Sequence, residues 1–366
     1  MENSKKPLIS KLTADHQFAG LQVLCGFDAF VDLIYHVVDE RIDASHYDRF
    51  SGITAFSDRI RSAAGRSANL ELVLQQQKPG GNAAIFAICA SALGAQVIAL
   101  APVGEPETLA LFSEAAPSVQ WVSLGSPGLT NALEFPDGKL MLGNVGITAQ
   151  IGWECLNSKV GEARFFALLK RSNIVLLGNW TMNLGLGSVL ERISRIEPGE
   201  ISGPIFLDLA DPRKRSLDDL QMLILQMRRL AKVCRVILGL NCSEAEQVSG
   251  ALGQANDCSE NGHALMLTAD RLRESLELEA VVIHATRFAA GASRMERDWV
   301  HGPFQENPRI TTGAGDHFNG GFALAIAAKF NLREALYCGV AASGFYVRTA
   351  TSGAPNDLAN VLASMP

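Results

Sequence analysis

The sequence has few charged residues and few aromatic residues, at 19% and 7% of its 366 positions. The formal net charge is −6, and no basic stripe runs along any segment. Because an acidic surface repels phosphate backbones, we expect no nucleic-acid partner. The rest of the composition, with 48% hydrophobic residues and 33 glycines, is that of an ordinary globular enzyme with a large buried core.

Paired cysteines, a signal peptide and a membrane span are also missing. The seven cysteines form no C-x-x-C pair, and most lie in apolar segments, which indicates reduced core cysteines. The N-terminus, "MENSKKPLISKLTADHQ", lacks the apolar centre of a signal peptide. The longest apolar stretch, 83–101, is interrupted by Gly94 and Gln96 and changes its period there, which argues against a membrane helix. We therefore expect a cytoplasmic protein without a membrane partner.

Short apolar runs alternate with helical patterns along the chain. Continuous apolar runs of this length are typical of parallel strands that are covered on both faces. The candidate strands are 21–27, 96–104, 173–179, 204–211, 235–241 and 280–286, and the candidate helices are 82–93, 217–232 and 318–330. This alternation predicts an α/β fold with a doubly wound, mostly parallel sheet flanked by helices.

Two segments break the alternation. Residues 118–147 hold extended runs around a Pro-Asp-Gly turn, which is a hairpin signal, and the run 31–38 is predicted to pair beside them. We expect one domain over residues 1–366, with a small β lid formed by about 31–40 and 118–147 at the carboxyl edge of the sheet. Residues 41–78 are predicted as additional helix. An exposed hairpin invites two copies to pair edge to edge, as a homodimer through the lid.

The stretch "ITTGAGDHFNGG" at 310–321 carries the strongest local signal. Its glycines let the backbone approach a ligand, and the unpaired first amides of the following helix attract an anion. Asp316 in that first turn suits a base that takes a proton from a hydroxyl attacking a phosphoryl group. A helix N-terminus lowers a carboxylate pKa, so we expect a weak base at rest. The alternative without a function is an ordinary N-cap.

Three stretches together resemble the ribokinase (PfkB) carbohydrate kinase family. "TTGAGDHFNGG" is similar to its second signature, and "KPGGNAAIFAICASALGA" at 78–95 is similar to its first. "NCSE" at 241–244 looks like its Asn-x-x-Glu motif, and the three occur in the family's order. The resemblance covers about residues 20 to 355. It implies a ribokinase-like fold and a kinase that moves the ATP γ-phosphoryl group to a primary hydroxyl of a sugar, sugar derivative or nucleoside.

The resemblance also implies roles for individual residues around the phosphates. The anion hole would consist of Thr312, Gly313, Ala314 and Gly315, with Asp316 as the catalytic base. Asn241 and Glu244 would organise Mg²⁺ near the ATP phosphates, with Glu244 reaching the metal through water. From the residues alone, a helix cap with an acid at its third position is the favoured interpretation of this pair.

On the acceptor side, the resemblance assigns substrate binding to a glycine turn and to an aspartate of the first strand. Gly80, Gly81 and Asn82 would hold the acceptor, because glycines allow close approach and an amide can both donate and accept. The segment "CGFDAFVDLI" offers both Asp28 and Asp32 as the aspartate that grips acceptor hydroxyls. An aspartate at the apolar end of a strand is costly unless it is paired, so at least one of them is expected to be functional.

Three positions depart from the family pattern. Ile310 stands where relatives carry an aspartate that helps to bind a monovalent cation, so potassium activation is doubtful. Thr286 stands where a glycine is expected near the nucleotide. After the strand at 204–211, Asp211 and Arg213 occupy positions similar to the family's Asp-x-Asn-x-Arg, but its asparagine is missing.

Two hypotheses follow, and a third is excluded. The first is an ATP-dependent kinase, and the second is a catalytically weak or inactive sugar or nucleotide sensor on the same fold. No G-x-G-x-x-G follows the first strand, which argues against a dinucleotide-dependent oxidoreductase. His317 is a weaker alternative base, and Gly320 and Gly321 are predicted to let their helix pack close to the sheet.

Overall fold

The computed structural model describes residues 2–14, 17–254 and 261–365, and the side chains of residues 2–4 lie outside this description. Cys258 also lies outside the described residues. The strands are β1 Gln22–Gly26, β2 Phe30–Arg41, β3 Tyr47–Arg49, β4 Leu72–Gly80, β5 Gln96–Ala101, β6 Gln120–Ser123, β7 Gly128–Phe135, β8 Gly138–Asn144, β9 Ile174–Leu177, β10 Ile205–Asp208, β11 Val236–Asn241, β12 Ala280–His284, β13 Phe288–Ser293 and β14 Arg297–His301.

Helices connect these strands. They are α1 Glu2–Thr13, α2 Ile53–Ser62, α3 Asn82–Ala92, α4 Ala110–Ala115, α5 Trp153–Lys159, α6 Glu162–Arg171, α7 Leu186–Ile193, α8 Leu217–Leu230, α9 Cys242–Ala251, α10 Gly262–Leu276, α11 Ala314–Ala327, α12 Leu332–Thr349 and α13 Pro355–Ser364. Short 3₁₀ turns occupy Gly146–Gln150 and Pro212–Lys214. No helix among the described residues has the length and apolar character needed to cross a membrane.

A nine-stranded sheet forms the centre of the fold, in the order β14-β13-β12-β11-β10-β9-β1-β5-β6. The strands from β6 to β12 in this order are parallel, and β13 and β14 add an antiparallel edge. All six predicted strands lie in the parallel part, which confirms the doubly wound α/β prediction. Strands such as β9 and β10 are buried at every position because separate hydrophobic clusters cover the two faces of the sheet.

A second, five-stranded sheet forms the lid. Strand β2 lies at its centre, with β7 and then β8 on one side and β3 and β4 on the other. The Pro-Asp-Gly turn joins β7 to β8 as predicted, and its Asp137 accepts a hydrogen bond of 2.9 Å from the amide of Ile53 at the start of α2.

Two details of the lid differ from the sequence prediction. The run at 120–123 pairs with β5 in the central sheet, so the second lid segment begins at 128 and not at 118. Residues 41–78 are not all helical, because only α2 forms there, and β4 occupies 72–80 as a lid strand. Strand β4 is exposed along most of its length, so its run "LQQQK" is polar and lacks the apolar pattern by which a strand is predicted.

Helix α11 packs between two other helices through its glycines. A Cβ at Gly320 would lie 2.7 Å from the Cys89 sulfur on α3, and one at Gly321 would lie 2.5 Å from the Cys338 carbonyl on α12. The expectation that these glycines serve contact with the sheet is therefore wrong. They serve helix–helix packing, which fixes the start of α11 relative to the start of α3.

Candidate active site

The carboxyl ends of the central strands bring several polar side chains to one edge of the sheet. Asp28 follows β1, Asn179 follows β9, Asp208 ends β10, and Glu244 lies in the first turn after β11. Asp316, at the start of α11, faces the same edge, and its charge acts on those of Asp208 and Glu244. Crevices at the carboxyl ends of parallel strands are the usual ligand sites of such sheets.

Asp28 is fully buried and holds the start of α3. Its carboxylate accepts hydrogen bonds from the amides of Asn82 and Ala83, at 2.9 and 2.8 Å, and from the Asn179 side chain at 2.8 Å. The N-cap of α3 is Gly81, which has no side chain to cap the helix, so Asp28 supplies the cap from a neighbouring strand. Burial raises the pKa of Asp28, and these hydrogen bonds lower it.

Asp32 lies in β2 against the glycine turn. A Cβ at Gly80 would approach its carboxylate oxygen to 2.5 Å, so only glycine allows this contact. Gly81, at φ 94°, also needs to be glycine, since a Cβ there would meet Ala29 Cα at 2.8 Å. Burial raises the pKa of Asp32, while a hydrogen bond from the Thr130 side chain lowers it. The structure therefore brings Asp28, Asp32 and the turn at 80–82 together, as predicted.

Asp208 is a site residue that the sequence analysis missed. Its carboxylate accepts hydrogen bonds from Asn319 Nδ2 at 2.6 Å, from the Ala210 amide at 2.8 Å and from Asn82 Nδ2 at 3.4 Å. Burial, followed by the charge of Asp28, raises its pKa to about 6. The available signal was an aspartate at the end of an apolar strand, the same signal that drew attention to Asp28.

Asp211 and Arg213, which the motif comparison had selected instead, lie at the border of this cluster, where the charge of Asp211 still raises the pKa of Glu244. They form a surface ion pair in which Arg213 Nε lies 2.9 Å from Asp211 Oδ1. Asp208 lies three positions before Asp211, at the last residue of β10. The buried position of Asp208 identifies it as the aspartate at the strand end.

Asp316 has a high pKa and not the low one that its helix position predicted. The residue keeps some exposure, yet the protein around its carboxyl group is dense, and this desolvation raises the pKa well above its usual range. The charges of Asp208 and Asp28 raise it further, and a hydrogen bond from the Asn82 side chain lowers it. The expectation was wrong because a local helix rule takes no account of carboxylates brought in by distant strands.

Two glycines at the start of α11, the N-cap Gly313 and Gly315, have amides that point to no backbone partner among the described residues. The Ala314 amide donates to the Thr311 carbonyl at 3.1 Å, so it is engaged in the turn and the expectation that it is free is corrected. Gly313, at φ 94°, takes a conformation that favours glycine.

Two aromatic side chains fix this loop. The Tyr346 hydroxyl donates to the Thr312 carbonyl at 3.0 Å, and its ring stacks on the His317 ring with 3.7 Å between centroids. The two nitrogens of His317 lie 2.7 Å from the Gly313 carbonyl and 2.8 Å from the Ser352 hydroxyl. Burial lowers the His317 pKa to about 4. With both ring nitrogens engaged, His317 holds the loop in place and is not a base.

Asn241 and Glu244 form a capping box at the start of α9. The Asn241 side chain accepts from the Glu244 amide at 3.0 Å, and Glu244 accepts from the Asn241 amide at 2.8 Å and from its Nδ2 at 2.6 Å. Burial and then the charge of Asp208 raise the Glu244 pKa to about 9. A nearby cation would stabilise the ionised forms of carboxyl groups that are crowded together and raise one another's pKa values. Among the described residues, no group of three or more His, Cys, Asp or Glu side chains could hold a metal ion.

A cavity of about 620 Å³ adjoins the loop, a volume in the usual range for small-molecule sites. Its wall includes Asn241, His284, Thr286, Phe304, Gly315 and Ser343. His284 ends β12 against the ring of Phe318, and burial lowers its pKa to about 4. Arg287 stacks on the Phe304 ring at 3.8 Å, at the rim of this cavity.

The family model described as prokaryotic ketohexokinase matches residues 10–365. The chain belongs to this family. It is also 30% identical over 335 residues to a ketohexokinase of Haloferax volcanii, a match that covers 90% of this chain and 88% of that protein. The resemblance to the ribokinase group of carbohydrate kinases is thereby confirmed, and the protein is a carbohydrate or nucleoside kinase.

Solved structures show the same fold. A ribokinase of Arabidopsis thaliana complexed with ribose and ATP superposes with a TM-score of 0.64 at 17% identity, covering 95% of this chain and 100% of that one. A putative ribokinase II of Escherichia coli superposes with a TM-score of 0.66 at 12% identity, covering 94% and 99%. At these identities the likeness establishes the fold alone. Kinases of the ribokinase family use ATP and Mg²⁺, and a sugar kinase acts on a small-molecule substrate.

Proposed function

We propose that this member of the prokaryotic ketohexokinase family transfers the γ-phosphoryl group of ATP to a primary hydroxyl of a ketohexose. The name of the Haloferax volcanii relative supports the acceptor class. The observation that carries the proposal is the position of Asp316. Gly315, beside it, lines the large cavity, and the Asn82 side chain, at the acceptor turn, is close enough to lower the pKa of the Asp316 carboxyl group. A base at this junction can reach a hydroxyl on one side and a phosphoryl group on the other.

In this proposal Asp316 accepts the proton of the attacking hydroxyl. Because its pKa is raised, the Asp316 carboxylate binds a proton more strongly than an ordinary aspartate does, which suits a general base. The free amides of Gly313 and Gly315, at the positive end of α11, stabilise the charge on the transferring group. Thr312 and Ala314 contribute by shaping the loop, since their backbone groups are engaged by Tyr346 and Thr311.

Asp32 is the proposed contact to acceptor hydroxyls. Its carboxylate lies on the glycine turn, whereas the carboxylate of Asp28 is already engaged by three donors of the protein. Asp28 would instead act indirectly, by holding Asn82 and the start of α3 in place. Gly80 and Gly81 would let the sugar approach the backbone of the turn.

The nucleotide would occupy the cavity, with its phosphates toward the loop before α11. Glu244 and Asp208 would hold Mg²⁺ through its water ligands, with Asn241 fixing the Glu244 carboxylate by the capping box. The cation supplies neutralisation of phosphate charge in such reactions. The raised pKa values of both carboxyl groups support this assignment, because a cation nearby favours their ionised forms.

An acceptor screen tests the proposal against the sensor hypothesis. ADP release is measured with ATP, Mg²⁺ and each of four ketohexoses (fructose, tagatose, psicose and sorbose), with glucose, ribose and adenosine as comparison acceptors. We expect acceptor-dependent ADP with at least one ketohexose, a monophosphate product by mass spectrometry, and loss of both in Asp316→Asn. Binding without turnover would favour the sensor, and turnover only with ribose or adenosine would overturn the ketohexose assignment.

A further inference from the structure

Lys78 lies on the same face of the lid as Asp32. The two residues are directly opposite each other in the antiparallel pair β2–β4, and Thr130 is opposite Asp32 in the parallel pair β2–β7. Side chains that are opposite each other in a sheet project from the same face. Gly80, two residues along β4, underlies the Asp32 carboxylate. Lys78 therefore belongs to the surface that borders the acceptor turn.

The ammonium group of Lys78 is buried but has no hydrogen-bond partner among the described residues. The other lysine of this lid region, Lys139, forms an ion pair with Glu134 at 3.0 Å. Lys78 forms no such pair, although Asp32 lies on the neighbouring strand. A buried ammonium with unused donors is costly, so such an arrangement calls for an external partner.

The charge of Lys78 also reaches the start of α11. Burial is the first cause that lowers the pKa of His317, and Lys78 contributes to the same lowering. His317 follows Asp316 directly in the chain, so the Lys78 ammonium faces the catalytic side of the lid and not the solvent. Burial lowers the pKa of Lys78 as well, and the charge of Asp32 raises it.

An acceptor sugar presents hydroxyl oxygens that both donate and accept hydrogen bonds. Asp32 can only accept when ionised, and Lys78 can only donate. We propose that Lys78 is a specificity-determining residue of the acceptor site, donating a hydrogen bond to an oxygen of the ketohexose while Asp32 accepts from a neighbouring hydroxyl. This inference rests on the proposed function, because it assumes that the acceptor binds between the lid and the start of α11.

Lys78→Met removes the donors and keeps most of the side-chain length. With the best ketohexose of the screen, we expect the acceptor KM to rise about tenfold or more, as for a lost hydrogen bond to a charged group, while the KM for ATP stays unchanged. Lys170→Met is the matched control, since it removes a lysine that forms an ion pair with Glu200, at 2.8 Å, outside the lid, and we expect a change within about twofold. Thermal unfolding of both variants checks that the lid still folds, and Lys78→Gln replaces Lys78→Met if it does not.

Analogues of the same ketohexose that each lack one hydroxyl locate the contact. The analogue that lacks the oxygen bound by Lys78 should lose affinity with the wild-type enzyme but lose nothing further with Lys78→Met. Equal losses from every analogue in both proteins would overturn the inference, as would an unchanged acceptor KM or a rise in the KM for ATP. These outcomes leave the proposed function intact. A wild-type enzyme that phosphorylates no ketohexose overturns the proposed function itself, and the inference with it.

Discussion

The site has two sides that differ in how their charges are balanced. The floor is defined by the carboxyl groups of Asp28, Asp208, Glu244 and Asp316 at the edge of the central sheet, and each of them has a raised pKa. The lid face, formed by Asp32, Lys78 and Thr130, mixes a carboxylate, an ammonium group and a hydroxyl. The floor is suited to a cation and to proton transfer, and the lid face is suited to a neutral molecule rich in hydroxyls.

The two sides also differ in how firmly they are held. On the floor, protein amides engage Asp28, Asp208 and Glu244, and two aromatic rings fix the loop before Asp316. On the lid face, the Lys78 ammonium has no hydrogen-bond partner among the described residues. We infer that the groups proposed for the chemistry are held in place before substrate binds, whereas the Lys78 ammonium gains a partner only when the acceptor binds.

The largest expected effect comes from removing the base of the floor. Asp316→Asn keeps the shape of the side chain but cannot accept the proton, so we expect kcat to fall about a thousandfold with the KM values little changed. Steady-state assays with the best acceptor measure it, and thermal unfolding serves as the control for folding. A variant that retains more than about a tenth of the wild-type kcat would remove Asp316 from the role of base.

The next effect concerns stability. Asp28→Ala leaves the Asn82 and Ala83 amides and the Asn179 side chain without their acceptor, and we expect a loss of about 3 kcal/mol in the free energy of unfolding. Chemical denaturation measures this loss, with Asp211→Ala, at the surface, as the matched control. An unchanged free energy of unfolding together with a raised acceptor KM would show that Asp28 contributes to acceptor recognition. That result would contradict the division between the floor and the lid face.

A smaller effect is the pH dependence of the floor. The folded pKa values of Asp208 and Glu244, about 6 and about 9, lie above those of the unfolded chain. Their stabilising contribution is therefore complete below about pH 4 and is lost as the pH rises through the folded values. Without ligands, we expect the contribution of these groups to lower Tm between about pH 5 and about pH 9, and Glu244→Gln to flatten that decline. An identical pH profile of Tm in the two proteins would contradict the raised Glu244 pKa.

The smallest effect is expected from the monovalent cation. Ile310 offers no oxygen ligand, so replacing potassium by choline should change the wild-type rate by less than about twofold. Ile310→Asp restores the side chain of the family pattern, and we expect it to introduce a potassium response measurable in the same assay. A wild-type rate that depends strongly on potassium would show that other groups supply the ligands.

The sequence alone predicted the parallel sheet, because buried parallel strands appear as continuous apolar runs. The resemblance to the ribokinase family implied that the turn at 80–82 and the loop at 312–316 serve one site, and the structure places them at the starts of the adjacent helices α3 and α11. The sequence pattern misplaced the start of the second lid segment, because the run at 120–123 has the same extended character in either sheet, and only its pairing with β5 decides between them.

Features that depend on distant contacts were beyond sequence reasoning. Burial raises the pKa of Asp316, and the charges of Asp208 and Asp28, which come from distant parts of the chain, raise it further. The loop is fixed by Tyr346, 34 residues beyond Thr312. Local rules about helix ends predict neither the pKa of Asp316 nor the contact that holds the loop. Lys78 belongs to a run of polar residues that has no apolar periodicity, so only the pairing of β4 with β2 brings it to Asp32.

Kinetics of Asp316→Asn and Asp32→Asn, measured side by side with the same ketohexose, test the division between floor and lid most directly. The account predicts that Asp316→Asn lowers kcat about a thousandfold at a similar acceptor KM, and that Asp32→Asn mainly raises the acceptor KM, about tenfold or more. The opposite pattern, with kcat lost in Asp32→Asn and only the acceptor KM raised in Asp316→Asn, would contradict it.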